Sequence, residues 1–412
     1  MISRRRLLQC GATLTTAGIL TPARASITAS KRKMIFVRVP GGWDTTRVFS
    51  PVFDNPQVDM EEAAELGIIG DLEYVAHPAR PEVTNFFTQY GPKTAILNGL
   101  IIPSINHMIC NRLLYTANSS ATEPDWATRI AAAKANDYPL PHVLISGKAI
   151  GGHQNDLIIR VGDNGQLGKL ISGELNNLSD LEVKTPTEHQ SNIADLYLQQ
   201  VLSLQKDAGI QPHFMETYHT AIERASLMQE LSESIRWNTD GSDGSQIDLA
   251  IDLLLSDLTR CITVEFYRMS FDSHENNESK QNDNFIELFA FLQQLVSTLE
   301  NTAGLYSDNL LEECTIVVLS EMGRTPHQNS SKGKEHWCHT AGMLIGSGVK
   351  GGRNYGGYSE YFYGQPINLQ DAEISAGGQE ITPKVLGATL LAMADIDPLE
   401  SLGVEPIYGI LE

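Results

Sequence analysis

The chain has 412 residues, 42% of them hydrophobic and 19% charged, a balance that belongs to folded chains and excludes a disordered one. Its 30 basic residues stand against 50 acidic ones, a formal charge of −20, so a general nucleic-acid binder is excluded: such a surface repels a phosphate polymer. At roughly 150 residues per domain, the length allows two or three units or one large α/β domain.

The N-terminus reads as a targeting segment. Ser3-Arg4-Arg5-Arg6-Leu7-Leu8-Gln9 resembles a twin-arginine export signal, a paired arginine ahead of an apolar stretch. The stretch from Leu7 to Leu20 is shorter than the ~20 apolar residues of a membrane span, and Ala23-Arg24-Ala25 supplies a small-residue cleavage site. Residues 1–25 are therefore expected to be a signal peptide handled by the twin-arginine translocase. Residues 26–412 are expected to form one periplasmic or secreted α/β domain with no stable membrane span. The mature cysteines, Cys110, Cys261, Cys314 and Cys338, form no CxxC pair, so a disulfide scaffold and a cysteine zinc knuckle are excluded.

The predicted elements follow in chain order. Met34–Val39 is an apolar strand that runs into Pro40-Gly41-Gly42. Pro81–Tyr90 reads as a helix with proline in its first turn, Thr94–Leu97 as a strand and Ser104–Ala117 as a helix. Asp125 is placed to cap a helix running to Ala135, Val143–Ser146 reads as a strand, and the Gly-, Asn- and Asp-rich stretch 151–173 as β-turns. Residues 188–258 read as a helical insertion closed by Leu249–Leu258. Strands are then expected at Cys261–Tyr267, Thr315–Ser320 and Met343–Ile345, with a helix at Asn284–Thr302 between the first two. Alternating β and α units predict a mostly parallel central sheet with helices on both faces, whose ligands bind beyond the carboxyl ends of the strands.

Several of these strands run directly into residues with chemistry to offer. Gly41-Gly42-Trp43-Asp44 follows the first; Ser104, Asn106 and His107 follow the second; Phe271-Asp272-Ser273-His274-Glu275 and Glu321-Met322-Gly323-Arg324-Thr325 follow later ones. A further segment reads Lys334-Glu335-His336-Trp337-Cys338-His339. One aspartate after a strand reads equally well as a helix cap; five clusters on one rim of one sheet read as a site. Asp272 and His274, two apart, point to the same side in extended chain, and carboxylate with imidazole suits Zn²⁺ or Mn²⁺. His336 and His339 share a face if their turn is helical. Between Arg324 and Arg353 the chain inverts its charge, with Arg324, Lys332, Lys334, Lys350 and Arg353 against the single acid Glu335. Glycines 346, 348, 351 and 352 lie in the same window, which reads either as a solvated loop or as an anion pocket.

Taken together, the leader, the Gly41–Asp44 and Phe271–His274 segments, Ser320–Thr325, Glu335-His336-Trp337 and Gly348–Gly352 resemble the exported family called domain of unknown function 1501. That family is similar to a branch of the alkaline phosphatase and sulfatase superfamily. The resemblance covers nearly the whole mature chain and ends at Ala394-Asp395-Ile396-Asp397-Pro398. It implies an alkaline-phosphatase-like fold and a divalent ion (Zn²⁺ or Mn²⁺, with Ca²⁺ admitted) held by Asp44, Asp272, His274, Glu321 and His336. It also implies a catalytic set of Ser104, His107 and Arg324 with Asn106 beside it, and the basic window adds Lys334 and Lys350 as the expected contacts to the substrate. Two departures stand out. Asn106-His107 replaces the family's Ser-His, leaving Ser104 as the nucleophile by default, and Met322 replaces a histidine. The expected activity is metal-dependent hydrolysis of phosphate or sulfate esters. The alternatives are a non-catalytic relative that binds an anionic glycan or envelope component, and an envelope assembly factor.

Overall fold

The computed structural model describes residues 29–162, 165–171, 188–208, 227–237, 240–266 and 270–412. The expected leader, much of the 188–258 insertion and Tyr267 lie outside the described residues. The first half of the chain contributes β1 (Lys33–Arg38), β2 (Glu65–Ile69), β3 (Leu72–Ala76), α1 (Pro81–Tyr90), β4 (Thr94–Ile101), α2 (His107–Thr116), α3 (Trp126–Ala132), β5 (His142–Leu144), β6 (Ile158–Arg160), α4 (Gln166–Ile171) and α5 (Glu188–Asp207). The second half adds α6 (Asp243–Leu255), β7 (Cys261–Glu265), α7 (Asn277–Asn301), β8 (Cys314–Leu319), β9 (Gly323–Arg324), β10 (His336–Trp337), β11 (His339–Gly346), β12 (Arg353–Gly356), α8 (Pro383–Met393) and α9 (Pro398–Leu402).

The central sheet has eight strands in the order β12-β4-β11-β8-β1-β7-β5-β6. Every pairing is parallel except those of β11, which runs antiparallel to both β4 and β8. β1 is the middle of this sheet because its run Met-Ile-Phe-Val is apolar on both faces, as a strand covered on both sides must be. Alternation sorts its side chains: Ile35 and Val37 join a core with Phe86, Phe87, Leu253, Phe285 and Phe289, from α1, α6 and α7. Met34 and Phe36 join a second core on the opposite face with Leu114, Trp126, Leu386 and Leu390, from α2, α3 and α8. The sheet is thus an α/β sandwich with helices on both sides, as the alternation of elements predicts.

Helix starts follow local chemistry. Asn106, Asp125 and Thr382 each accept a backbone N–H at the first turn of α2, α3 and α8, and Pro81 and Pro383 open their helices. The sequence expectation of a helix from Ser104 is therefore three residues early. Stretch 151–173 is not a run of β-turns: where described it holds a 3₁₀ turn at Gly152–Leu157, the edge strand β6 and α4. The hairpin β2–β3 and the two-stranded β9–β10 ladder carry no expectation from the sequence. The ladder pairs His336 with Arg324 and Trp337 with Gly323, which sets one half of the site.

Candidate metal centre

The carboxyl ends of β1, β4, β7 and β8 share one rim of the sheet, where β11 begins. Beyond β1 the chain turns at Gly41 and Gly42, with φ of +107° and +77°, values a side chain resists. A Cβ on Gly41 would also lie 2.7 Å from the backbone nitrogen of Asp272, so glycine lets the loop that follows β7 pack directly against the loop that follows β1. Asp272 and His274 come from the first of these, His107 from the first turn of α2 and His336 from β10.

These four side chains meet. His274 Nε2 lies 3.0 Å from His336 Nε2 and 3.1 Å from Asp272 Oδ1. His336 Nε2 is 3.4 Å from the same oxygen, and His107 Nε2 is 3.4 Å from Asp272 Oδ2. In each imidazole the other nitrogen is already committed. His107 Nδ1 donates to Glu321 Oε1 (2.8 Å), His274 Nδ1 to Glu335 Oε2 (2.6 Å) and His336 Nδ1 to the Ile105 carbonyl (2.7 Å). A carbonyl or carboxylate only accepts, so the proton of each neutral ring sits on Nδ1 and the bare Nε2 lone pair faces the cluster. His107 Nε2 is buried with no hydrogen-bond partner.

The arrangement fits a metal ion. Bare lone pairs 3.0 Å apart repel, and a shared cation turns that repulsion into ligation. Two atoms bound at ~2.1 Å to one tetrahedral ion would sit about 3.4 Å apart, close to the spacings here. His107, Asp272 and His336 have one ligand atom each within 4.8 Å of the others, and His274 closes the set. Tethering of the far ring nitrogen by an acceptor is how proteins orient metal-binding histidines. Burial pushes the Asp272 carboxyl up, but Arg324 Nη2, 2.7 Å from Oδ1, outweighs it and holds the group at about 2, so it stays ionised. The hydrogen bond that His107 donates to Glu321 raises the His107 pKa, whereas burial lowers that of His336.

The other residues singled out from the sequence stand elsewhere. Glu321 is buried and accepts from both His107 and the Gly41 amide (2.8 Å), so it orients a candidate ligand and is not placed as one. Asp44 is fully buried and spent: Lys334 Nζ (2.9 Å), Arg47 Nε (3.3 Å) and Asn277 Nδ2 (2.8 Å) meet Oδ2, while the Thr46 hydroxyl (2.6 Å) meets Oδ1. Burial opposes its charge, yet Lys334 and Arg47 hold its pKa far below the usual carboxylate range. Arg324 is fully buried too; it donates to the Gly42 and Lys334 carbonyls (2.9 and 3.0 Å), to the Gly41 carbonyl and to Asp272, which leaves no face for an ester anion. Lys334 serves Asp44 and Thr46 rather than a substrate. The Asn106 carboxamide oxygen caps α2 through the Ile109 amide (3.2 Å). The Ser104 hydroxyl accepts from the Asn106 amide (3.2 Å) and bonds the Cys110 thiol.

Lys350 is at the wrong end of the sheet. It follows Gly346, the far end of β11, and its amide bonds Ile410 next to the start of β4. The 8 residues of β11, at about 3.3 Å each, put roughly 23 Å between that end and the cluster. The basic window therefore does not form one pocket: Arg324 and Lys334 are buried in networks on one rim, where Lys332 faces solvent, and Lys350 and Arg353 lie towards the other. His339 likewise leaves the set, since its Nδ1 accepts from the Gly364 amide (3.0 Å) and burial lowers it to about 4. His107, placed in the catalytic set from the sequence, is the histidine the structure brings beside Asp272 and His336; its signal, a histidine at the start of a helix beyond a strand, suits either role. Glu335 carried none beyond its place beside His336.

Residues 168–372 match the model of the family described as protein of unknown function (DUF1501). No curated protein matches the chain. Among solved structures, the chain is similar to Ps i-CgsB in complex with k-i-k-neocarrahexaose, at 10% identity, 92% coverage of this chain, 75% of that one and a TM-score of 0.41. It is also similar to the C-terminal periplasmic domain of EcEptC from Escherichia coli (10% identity, 93% and 89% coverage, TM-score 0.40), and to the zinc complex of that domain (8%, 90% and 84%, 0.39). A protein in the alkaline phosphatase superfamily from Vibrio parahaemolyticus is similar at 9% identity, 89% and 67% coverage and a TM-score of 0.34.

Proposed function

We propose that this chain belongs to the DUF1501 family and is an exported, metal-dependent hydrolase of phosphate or sulfate esters, a single alkaline-phosphatase-like domain behind a twin-arginine leader at residues 1–25. One observation carries the reading: three imidazoles with their Nδ1 atoms tethered turn bare Nε2 atoms onto one ionised carboxylate. His107, Asp272, His274 and His336 would hold the ion. Three nitrogens and one oxygen favour Zn²⁺ or Mn²⁺ over Ca²⁺, which takes oxygen ligands. A metal bound there would supply Lewis acidity and a more acidic bound water.

The rest of the chemistry falls to the chain. Glu321 and the Ile105 carbonyl keep the His107 and His336 rings aimed inward, and Arg324 fixes Asp272 Oδ1 while keeping the carboxyl ionised. The cluster opens to solvent, with the Asp272 and His107 side chains 35% and 36% exposed, so an anionic small molecule or glycan end has access. Among the described residues no helix is long and apolar enough to cross a membrane.

A second reading has its own observation. The Ser104 hydroxyl is shared between a backbone amide and a thiol, and the Asn106 side-chain oxygen is used as a cap, which favours a pocket that binds an anionic glycan without turning it over. Protein purified from its own compartment under non-chelating conditions separates the two when assayed for metal and for aryl phosphate and aryl sulfate turnover. The hydrolase reading expects about one equivalent of metal, and a His336→Ala variant slower by at least about 10²-fold. Metal below about a tenth of an equivalent sinks the metal centre. Metal without turnover, or equal rates in the variant, leaves the binding reading.

A further inference from the structure

Of the three candidate histidine ligands, His274 is the one whose backbone belongs to no helix or strand, and its side chain is the most open of the four candidates, 42% exposed. What fixes it lies in a stretch of chain about sixty residues away. Asn329 uses its whole carboxamide there: Nδ2 donates to the His274 carbonyl (2.9 Å) and to Glu335 Oε1 (2.7 Å). Its Oδ1 accepts the amides of Ser331 (3.0 Å) and Gly333 (2.9 Å). Glu335, held in this way, accepts the hydrogen bond of His274 Nδ1–H on its other oxygen at 2.6 Å.

A second observation is steric. The backbone of His274 passes so close to Gly333 that a Cβ there would lie 1.8 Å from the His274 carbonyl oxygen. Only glycine lets the two segments seal, and they do: Glu275 bridges Lys332, and the Asn277 and Lys334 amides bond the Lys332 and Ser273 carbonyls. One turn thereby fixes both the backbone and the ring of His274.

We propose that the turn Asn329–Glu335 is a positioning clamp, in which Asn329, Gly333 and Glu335 decide whether His274 joins His107, Asp272 and His336 as a fourth donor. The proposal rests on the metal-centre reading above. None of the three touches the bare nitrogens; they act through His274. Glu335 is exposed and Asn329 partly so, and replacing either takes no apolar side chain from either core and leaves the buried Lys334 on Asp44 in place.

The test is Zn²⁺ affinity of the apoprotein, by competition with a chromophoric chelator, alongside the melting temperature of the apoprotein. Asn329→Ala should weaken Zn²⁺ binding about 10-fold or more, and Glu335→Gln by less, because a glutamine oxygen still accepts from Nδ1. Gly333→Ala should match or exceed Asn329→Ala; if it does not fold, the Asn329 arm decides alone. His274→Ala sets the scale, and adding Asn329→Ala to it should cost nothing more, since both remove the same donor. The clamp is overturned if Asn329→Ala and Glu335→Gln both stay within about twofold of wild type, or if the Asn329 loss adds in full to that of His274→Ala. It is overturned equally if Asn329→Ala lowers the apoprotein melting temperature with unchanged affinity, which would make the turn a structural brace. Wild-type protein that binds no Zn²⁺ ends the clamp and the metal-centre reading together, whereas tight wild-type binding with indifferent variants ends the clamp alone.

Discussion

Two groups of charged and polar side chains lie along the same rim of the sheet, and they have opposite characters. In the first, Asp44, Arg47, Glu61, Arg80 and Lys334 are all buried and interlocked: Glu61 Oε2 lies 2.9 Å from Arg47 Nη1 and 2.6 Å from Arg80 Nη1, and Lys334 closes the set on Asp44. In the second, three histidines and Asp272 converge at a solvent-exposed edge, each Nδ1 tethered from behind and Arg324 alone donating to the carboxylate. The first group resembles a catalytic cluster in composition, yet its acids are all engaged by buried cations. The second turns imidazole nitrogens onto a carboxylate that solvent can reach. Chemical competence sits where hydrogen bonding is left incomplete and solvent can reach, and residue type alone does not distinguish the two.

The largest expected effects come from neutralising one aspartate in each group. Asp44→Asn leaves Lys334 and Arg47 with a lost counter-charge in a dry site and should cost the fold about 3–5 kcal/mol, read as a loss of urea-unfolding free energy, while the folded fraction binds metal as before. Asp272→Asn should do the reverse: Arg324 keeps three carbonyl partners, so stability moves little, but metal affinity falls by more than about 100-fold. If Asp44→Asn folds normally and loses metal, the division between the two groups is wrong and Asp44 is a ligand after all.

What the sequence made legible divides along the same line. Elements with a plain apolar run or a cap residue, such as β1, α1 and the Asp125 start of α3, stand where the pattern puts them. α7 begins at Asn277, seven residues before the expected Asn284, because Asn277, Gln281, Asn282 and Asn284 are buried polar residues facing the loops of the rim. The apolar stripe that reveals a helix starts only at Phe285. Asp272, His274 and His336 were visible as ligand types at useful spacing. The fates of Arg324 and Lys334 were not, since an arginine that will be consumed by three backbone carbonyls looks, in sequence, the same as one that waits for an anion. Asn329 was invisible for a similar reason: its role depends on a carboxylate six residues on and a carbonyl fifty-five residues back.

A change of pH should separate the two groups in one experiment. Metal ligation needs neutral imidazoles, so protons compete with the metal for the ring nitrogens and bound metal is released as the solution is acidified. The fold responds lower. Asp44 and Glu61 both have depressed pKa values, so the stability they contribute is present above their ordinary values of 3.8 and 4.5 and is lost as pH falls below them. Metal content and far-UV circular dichroism, followed on the same samples from pH 8 to pH 3, should therefore show metal leaving first and structure surviving to below about pH 4. A single coincident transition would mean that the metal holds the rim together and that the interlocked group does not stabilise it on its own.

The smallest effect concerns Lys350, and its value lies in being a null. The charge inversion between Arg324 and Arg353 made Lys350 a natural anion contact, yet the antiparallel course of β11 carries it to the opposite rim. At roughly 23 Å and across a Debye length of about 8–10 Å, its charge is screened from the cluster. Lys350→Glu, a change of two charge units, should leave Zn²⁺ affinity and any ester turnover within about 1.5-fold of wild type at physiological ionic strength. A larger drop in turnover with unchanged metal affinity would place the anion-binding surface on the far rim, and would require a substrate long enough to reach around the edge strand β12 to the histidines.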